Sequence, residues 1–187
     1  MPHKIVLIII AVIITCLILF WNKKVRVFPV LIKQLQVFRN AKTEKVSLWD
    51  VFCFILMPIV LAILIVLGFD CIINDELAGV LTTVFAFVFT VLFGFAAILV
   101  GKINSDNEIE KQVVGETFVS IMSSNILSLI AAVLSIVIIM TCNKIVIDVL
   151  SIVIYSFSFM IIMLLLMISK RTFIIYCTKK NDAPPKQ

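Results

Sequence analysis

Five apolar runs free of any charged residue decide what this chain can become: Ile5–Asn22, Val51–Phe69, Leu77–Gly101, Thr117–Asn143 and Val149–Ser169. A hydrocarbon core about 30 Å thick is crossed by roughly 20 helical residues. A soluble protein of 187 residues has no use for five such runs. The expected fold class is therefore all-α, a polytopic transmembrane helical bundle. Its spans are placed at about 5–21, 51–69, 77–101, 117–140 and 147–169, within a single transmembrane domain covering 1–187. Hydrophobic residues make up 63 % of the chain against 14 % charged, which excludes an ordinary water-soluble core.

Charge sets the orientation. Of the 16 Lys and Arg, all but Lys4 and Lys144 fall in the connection 23–48, the loop before the fourth run, or the tail 170–187. A five-span count puts these three segments on one side. The positive-inside rule then places the amino terminus outside and the carboxyl terminus in the cytoplasm. The first run carries only Lys4 ahead of it, its basic cluster follows it, and no small-x-small cleavage site is present. It reads as an uncleaved anchor, not a signal peptide.

The spans differ in texture. Ser47 and Asp50 have capping-box spacing at the start of the second, and Pro58 near its middle removes a backbone donor and predicts a kink. The third carries Gly79, Thr83, Ala86, Thr90, Gly94, Ala97 and Gly101 at steps of three and four, a small-residue face, with Phe85, Phe89 and Phe93 as a neighbouring ridge. The fourth repeats the idea with Ser120, Ser124, Ser128, Ala131 and Ser135, and Asn125 beside them. The fifth has Asp148, Ser151, Tyr155 and Ser158. Small faces let helix backbones approach closely in lipid. The same Ser, Thr and Asn pattern also suits the wall of a hydrated pore, so both readings stand. Asn125 is the costliest polar group of its span and is expected to find a partner across a helix interface.

No Asp, Glu, Lys, Arg or His lies deep inside a run, whereas ion-coupled transporters and voltage sensors need such groups. Asp148 stands at the edge of the fifth run, four residues after Lys144, and an outer-face ion pair between them is expected. The one histidine is His3. No enzyme, cofactor or metal is expected. Cys71 and Cys142 share the outer face in this topology, either as a disulfide or as two free thiols.

The connection 23–48 is the most distinctive polar element. Val27, Val30, Leu31, Leu35 and Phe38 recur at helical spacing behind Pro29, accompanied by Lys33 and Arg39. An amphipathic helix here lies on the inner leaflet or docks a cytosolic protein through Leu31, Lys33, Leu35, Phe38 and Arg39. Direct nucleic-acid binding is not expected, because the basic cluster hugs the membrane and shows no recognition fold. Asn104–Glu116 is a second docking candidate.

The layout LWDVFCFILMPIVLAILIV, VFAFVFTVLFGFAAILVGK, GETFVSIMSSNILSLIAAVLS and a last span ending ISKRTFIIY is similar to small membrane proteins of bacterial antiphage systems. It resembles the membrane subunit of the Kiwa defence system. The resemblance covers the four runs from Val51 to Ser169 in texture, and the amino-terminal run departs from it. It implies a homo-oligomer in the bacterial inner membrane that holds a cytosolic nucleic-acid-binding partner, and it carries over no functional residue. The expected function is a non-enzymatic, self-associating anchor or sensor subunit with a cytosolic protein partner. The alternative is a small oligomeric pore.

Overall fold

The structure, a computed structural model, describes residues 28–38, 47–101 and 108–181, and the regular elements within them are all helices. A short helix, α1 (Phe28–Val37), precedes four long ones. The first long helix, α2, is continuous from Leu48 to Gly68 but changes character along its length: α-helical at Leu48–Val51, one π turn at Phe52–Leu56, α-helical again at Met57–Ile63, and a second π turn at Leu64–Gly68. Then come α3 (Asp75–Val100), α4 (Glu108–Met140) and α5 (Lys144–Asn181). Four stretches are long and apolar enough to cross a membrane: Trp49–Gly68, Asp75–Val100, Lys111–Met140 and Lys144–Phe173. The run Ile5–Asn22, expected as a further span, and Arg39 lie outside the described residues.

Two helices outrun their expected spans. α4 starts at Glu108, not near 117, and α5 continues to Asn181 through what the sequence presented as a tail from residue 170. The reason is physical. Lys, Glu and Gln end a hydrocarbon crossing but are good helix formers, so the helix continues beyond the membrane boundary.

The spatial order is not the chain order. α3 lies along α4, α4 along α5, and α2 docks on α5 instead of on α3, its neighbour in sequence; α1 rests against α4. α4 is thus the central helix, with half of its most apolar stretch buried against 17 % for α2. Two apolar clusters fill the bundle. One joins Ala78 and Phe85 to Ala131, Ile138, Ile154 and Ile161, and the other joins Leu92, Ala96 and Leu99 to Val114, Ile121 and Ile168. These pairings run antiparallel. The α3 contribution is Ala78, Leu81, Phe85, Val88, Leu92, Ala96 and Leu99, a seam at steps of three and four that follows one face of the helix.

The connection from α2 to α3 turns back into the bundle. Asp70 takes a left-handed conformation with φ 50°, and the Cys71 N–H donates back to the Ile65 carbonyl at 3.3 Å. That bond spans six residues, one more than the closure that usually ends an α-helix with glycine in the left-handed place, in keeping with the π turn at Leu64–Gly68. Ile73 is then fully buried, and its N–H donates to Ser151 Oγ on α5 at 3.1 Å. Asn74 caps α3 by accepting from the Leu77 N–H at 2.8 Å, and Asp75 and Glu76 occupy the first turn, where the helix dipole favours carboxylates.

Candidate functional site

The serine face of α4 is interior. Ser120, Ser124, Ser128 and Ser135 are fully buried, and Thr117 joins them. Their hydroxyls turn back on their own helix: Ser120 Oγ donates to the Glu116 carbonyl at 3.0 Å, Ser124 Oγ to Ser120 at 3.0 Å, and Ser128 Oγ to Asn125 at 2.9 Å. Each donor is thereby satisfied without a partner helix, which matters where no water competes. What remains toward α3 and α5 is a small, smooth surface. Asn125 departs from expectation. It is 4 % exposed, and neither Oδ1 nor Nδ2 has a hydrogen-bond partner. Ser123 Oγ on the same helix is also buried and unpartnered.

The small face of α3 lies elsewhere. Thr83, Ala86, Thr90 and Gly94 are exposed, and Gly79 is half-buried. At about 100° per residue, this stripe sits roughly 160° around the helix from the seam that meets α4. A Cβ added at Gly79 or Gly94 would meet nothing within 4 Å. Thr83 and Thr90 return their hydroxyls to the Gly79 and Ala86 carbonyls. The phenylalanine ridge is split by the same geometry: Phe85 is core, while Phe93 is 60 % exposed and stacks on Phe89 with centroids 6.2 Å apart.

The docking candidates on α1 divide in the same way. Lys33 and Leu35 face outward together with Ile32, and Leu31 is half-buried. Phe38 turns inward, 6 % exposed, with its ring 5.1 Å from that of Phe54 on α2. Its carbonyl also accepts from the Ser47 N–H at 2.9 Å, and Ser47 Oγ caps α2 by accepting from the Asp50 N–H at 3.3 Å. Phe38 is therefore part of the α1–α2 joint and is removed from the outward face.

At the α1 end of the bundle two helices are joined by an ion pair that sequence reasoning missed. Arg171 Nη2 on α5 lies 3.2 Å from Glu116 Oε2 on α4, and Gln112 Nε2 donates to Glu116 Oε1 at 2.9 Å. Glu116, one end of the second docking candidate, is committed to this joint. The signal was present but diffuse: an acid at the membrane edge of one helix and a base at the matching edge of the next. At the opposite end an open cleft of about 530 Å³ is bordered by Asp75, Glu76, Cys142, Lys144 and Asp148. The expected Lys144–Asp148 ion pair is not formed among the described residues, and Asp148 Oδ1 is buried without a hydrogen bond. Cys71 and Cys142 are both free and exposed. Among the described residues no group of three or more His, Cys, Asp or Glu could hold a metal ion.

Compared with known proteins, the chain matches no family model, no curated protein and no solved structure.

Proposed function

We propose that this protein is a non-enzymatic inner-membrane subunit that self-associates and anchors or signals to a cytosolic protein. The observation that carries this reading is α1. A helix of 10 residues is marginal by itself in water. Here Phe38 packs on Phe54 and Gln34 is turned inward, while Ile32, Lys33 and Leu35 stay outward. A face ordered in advance loses little conformational entropy on binding. The distribution of Lys and Arg supports a cytoplasmic position for that face, and an accessibility reporter fused after Gln187 tests the orientation. The exposed small stripe of α3 supports self-association, since among the described residues nothing packs closely on Gly79 or Gly94. A place in a bacterial antiphage system follows from the layout resemblance, and a cytosolic effector encoded beside the gene is its first test.

The deciding experiment changes Ile32→Glu together with Leu35→Glu. Burying two such side chains is worth roughly 1.5–3 kcal/mol each. Co-purification of the partner should be lost while insertion and oligomer size persist. A double variant that still recovers the partner at wild-type yield removes α1 as the docking element. The second reading, an oligomeric pore, draws on Thr83 and Thr90, which place hydroxyls on the outward face of α3. Ion flux through purified protein in liposomes, abolished by Thr90→Leu, would establish it over the anchor.

A further inference from the structure

One hydroxyl of α4 behaves unlike the others. Thr117, Ser120, Ser124, Ser128 and Ser135 return theirs to carbonyls of their own helix. Ser123 is 1 % exposed, and its Oγ has no partner among the described residues. It belongs to a stripe, Val119, Ser123, Ile126 and Ile130, at steps of four, three and four. Val119, Ile126 and Ile130 are half-buried, yet none of the four takes part in either apolar cluster. Ser123 stands two and a half turns beyond Val114, so it points away from the contact that Val114 makes with α3. Glu116, seven residues before Ser123 and on nearly the same bearing, reaches Arg171, so the stripe borders α5. α2 docks on that same helix, and α1 leads from α4 to α2 at one end, where Phe38 meets Phe54. α4 and α2 thus flank α5 along a face that α1 closes at one end.

We propose that the apolar run Ile5–Asn22 packs antiparallel on this stripe as a further transmembrane helix, with Thr15 supplying the partner that Ser123 lacks. As a helix the run extends about 27 Å, close to the hydrocarbon thickness. Five residues separate Asn22 from Phe28, where α1 starts, and they reach at most about 20 Å. The run therefore meets the membrane edge at the α1 end of the bundle, and its direction is opposite to that of α4. Its spacing puts Ile8, Ala11, Thr15 and Ile18 on one face, at steps of three, four and three. With Asn22 level with Glu116, Ile18 falls opposite Val119, Thr15 opposite Ser123, Ala11 opposite Ile126 and Ile8 opposite Ile130. Thr15 and Ser123 are each seven residues, about 10 Å, from that edge. Ala11 is the smallest residue of the run and lets Ile126 approach. Thr15 can return its proton to the Ala11 carbonyl, as Thr83 and Thr90 do to carbonyls on α3, and keep its oxygen to accept from the Ser123 hydroxyl. In hydrocarbon no water competes for that bond. The placement follows chain connectivity and holds whichever side of the membrane α1 faces.

The test uses the full chain in nanodiscs, with its native cysteines replaced by alanine and a protease site inserted between α1 and α2. Cysteine pairs are introduced one at a time and oxidised with copper phenanthroline. After cleavage, a disulfide within one chain keeps the two fragments together on a non-reducing gel. Thr15→Cys with Ser123→Cys should do so, and so should Ala11→Cys with Ile126→Cys. Ile8→Cys with Ile130→Cys leaves both hydroxyls in place and should also join the fragments, which covers the case in which the first pair fails to fold. Val12→Cys with Ile126→Cys, about 100° off the face, should leave them apart. Fragments that separate in all three facing pairs would put the run in lipid and end the proposal. A disulfide-linked band at twice the chain's size, with no joined fragments, would mean that a second copy covers the stripe, and that overturns it too. Equal joining by the Val12 pair would overturn the register.

Discussion

Arg171 reaches across from α5 to Glu116 on α4 at 3.2 Å, joining the two longest helices where both leave the apolar part of the bundle. Glu116 is 33 % exposed and Arg171 18 %, so water screens the pair only in part. Gln112 takes the second carboxylate oxygen and fixes its orientation. We expect Glu116→Gln to cost about 1 kcal/mol, near the upper end for partly exposed pairs. Arg171→Gln should cost somewhat less, because the carboxylate it leaves behind is the more exposed of the two charges. The exchanged pair, Glu116→Arg with Arg171→Glu, should recover most of the loss. Thermal unfolding in detergent across a salt series reads all three. An exchanged pair no better than the single variants would mean that the two residues act independently.

The third helix offers a contrast between two small residues two positions apart. Ala96 is 3 % exposed in the seam toward α4, whereas Gly94 faces outward into open space. Ala96→Leu should overpack the core and cost about 1–3 kcal/mol. Gly94→Leu should leave the protomer's stability within about 0.5 kcal/mol. If the stripe is the self-association face, Gly94→Leu should reduce the assembly to smaller species by light scattering. An unchanged assembly would assign that face to lipid.

Four of the five expected spans were legible because charge is so costly in hydrocarbon that its absence marks them. The Ser47 cap and the buried serines of α4 were legible for a related reason, since small and capping residues have few other uses in a membrane helix. Partner choice was not. A helix surface facing lipid is as apolar as one facing protein, so residue pattern along α2 cannot say that it docks on α5. The same blindness left open whether the α3 stripe packs inside the bundle, between copies or along a pore. Its seam, Ala78 through Leu99, used larger apolar residues at equally good spacing. Phe38 was assigned outward because apolar spacing on α1 is compatible with either side, and only the position of Phe54 settles it.

Asn125 tests the reverse of the usual expectation for a polar residue in a core. Both of its amide atoms are buried without a partner, and an unsatisfied buried group costs about 1–3 kcal/mol. Leu has the same branched outline and no such need, although its two methyls are bulkier than the amide atoms they replace. Asn125→Leu is expected to raise the unfolding free energy by about 1–2 kcal/mol. A clear fall in stability would show that the amide is bonded in the assembled protein, to water or to a group outside the described residues.

Asp70 follows α2 in a left-handed conformation that aspartate tolerates better than most side chains and glycine suits best. Its φ of 50° is left-handed, and that region costs an ordinary side chain roughly 1–2 kcal/mol, while glycine enters it freely. The closure it permits is specific, since the Cys71 N–H returns to Ile65 and the chain then buries Ile73 against α5. Asp70→Gly should therefore stabilise the fold by about 1 kcal/mol, with the turn unchanged. Asp70→Val, β-branched and intolerant of positive φ, should destabilise it by more than that. Hydrogen exchange at Ile73 gives the local reading: slower than wild type in the glycine variant, faster in the valine variant. If both substitutions shift stability and exchange in the same direction, the left-handed turn is not what holds this connection, and the Ile73–Ser151 bond becomes the place to look.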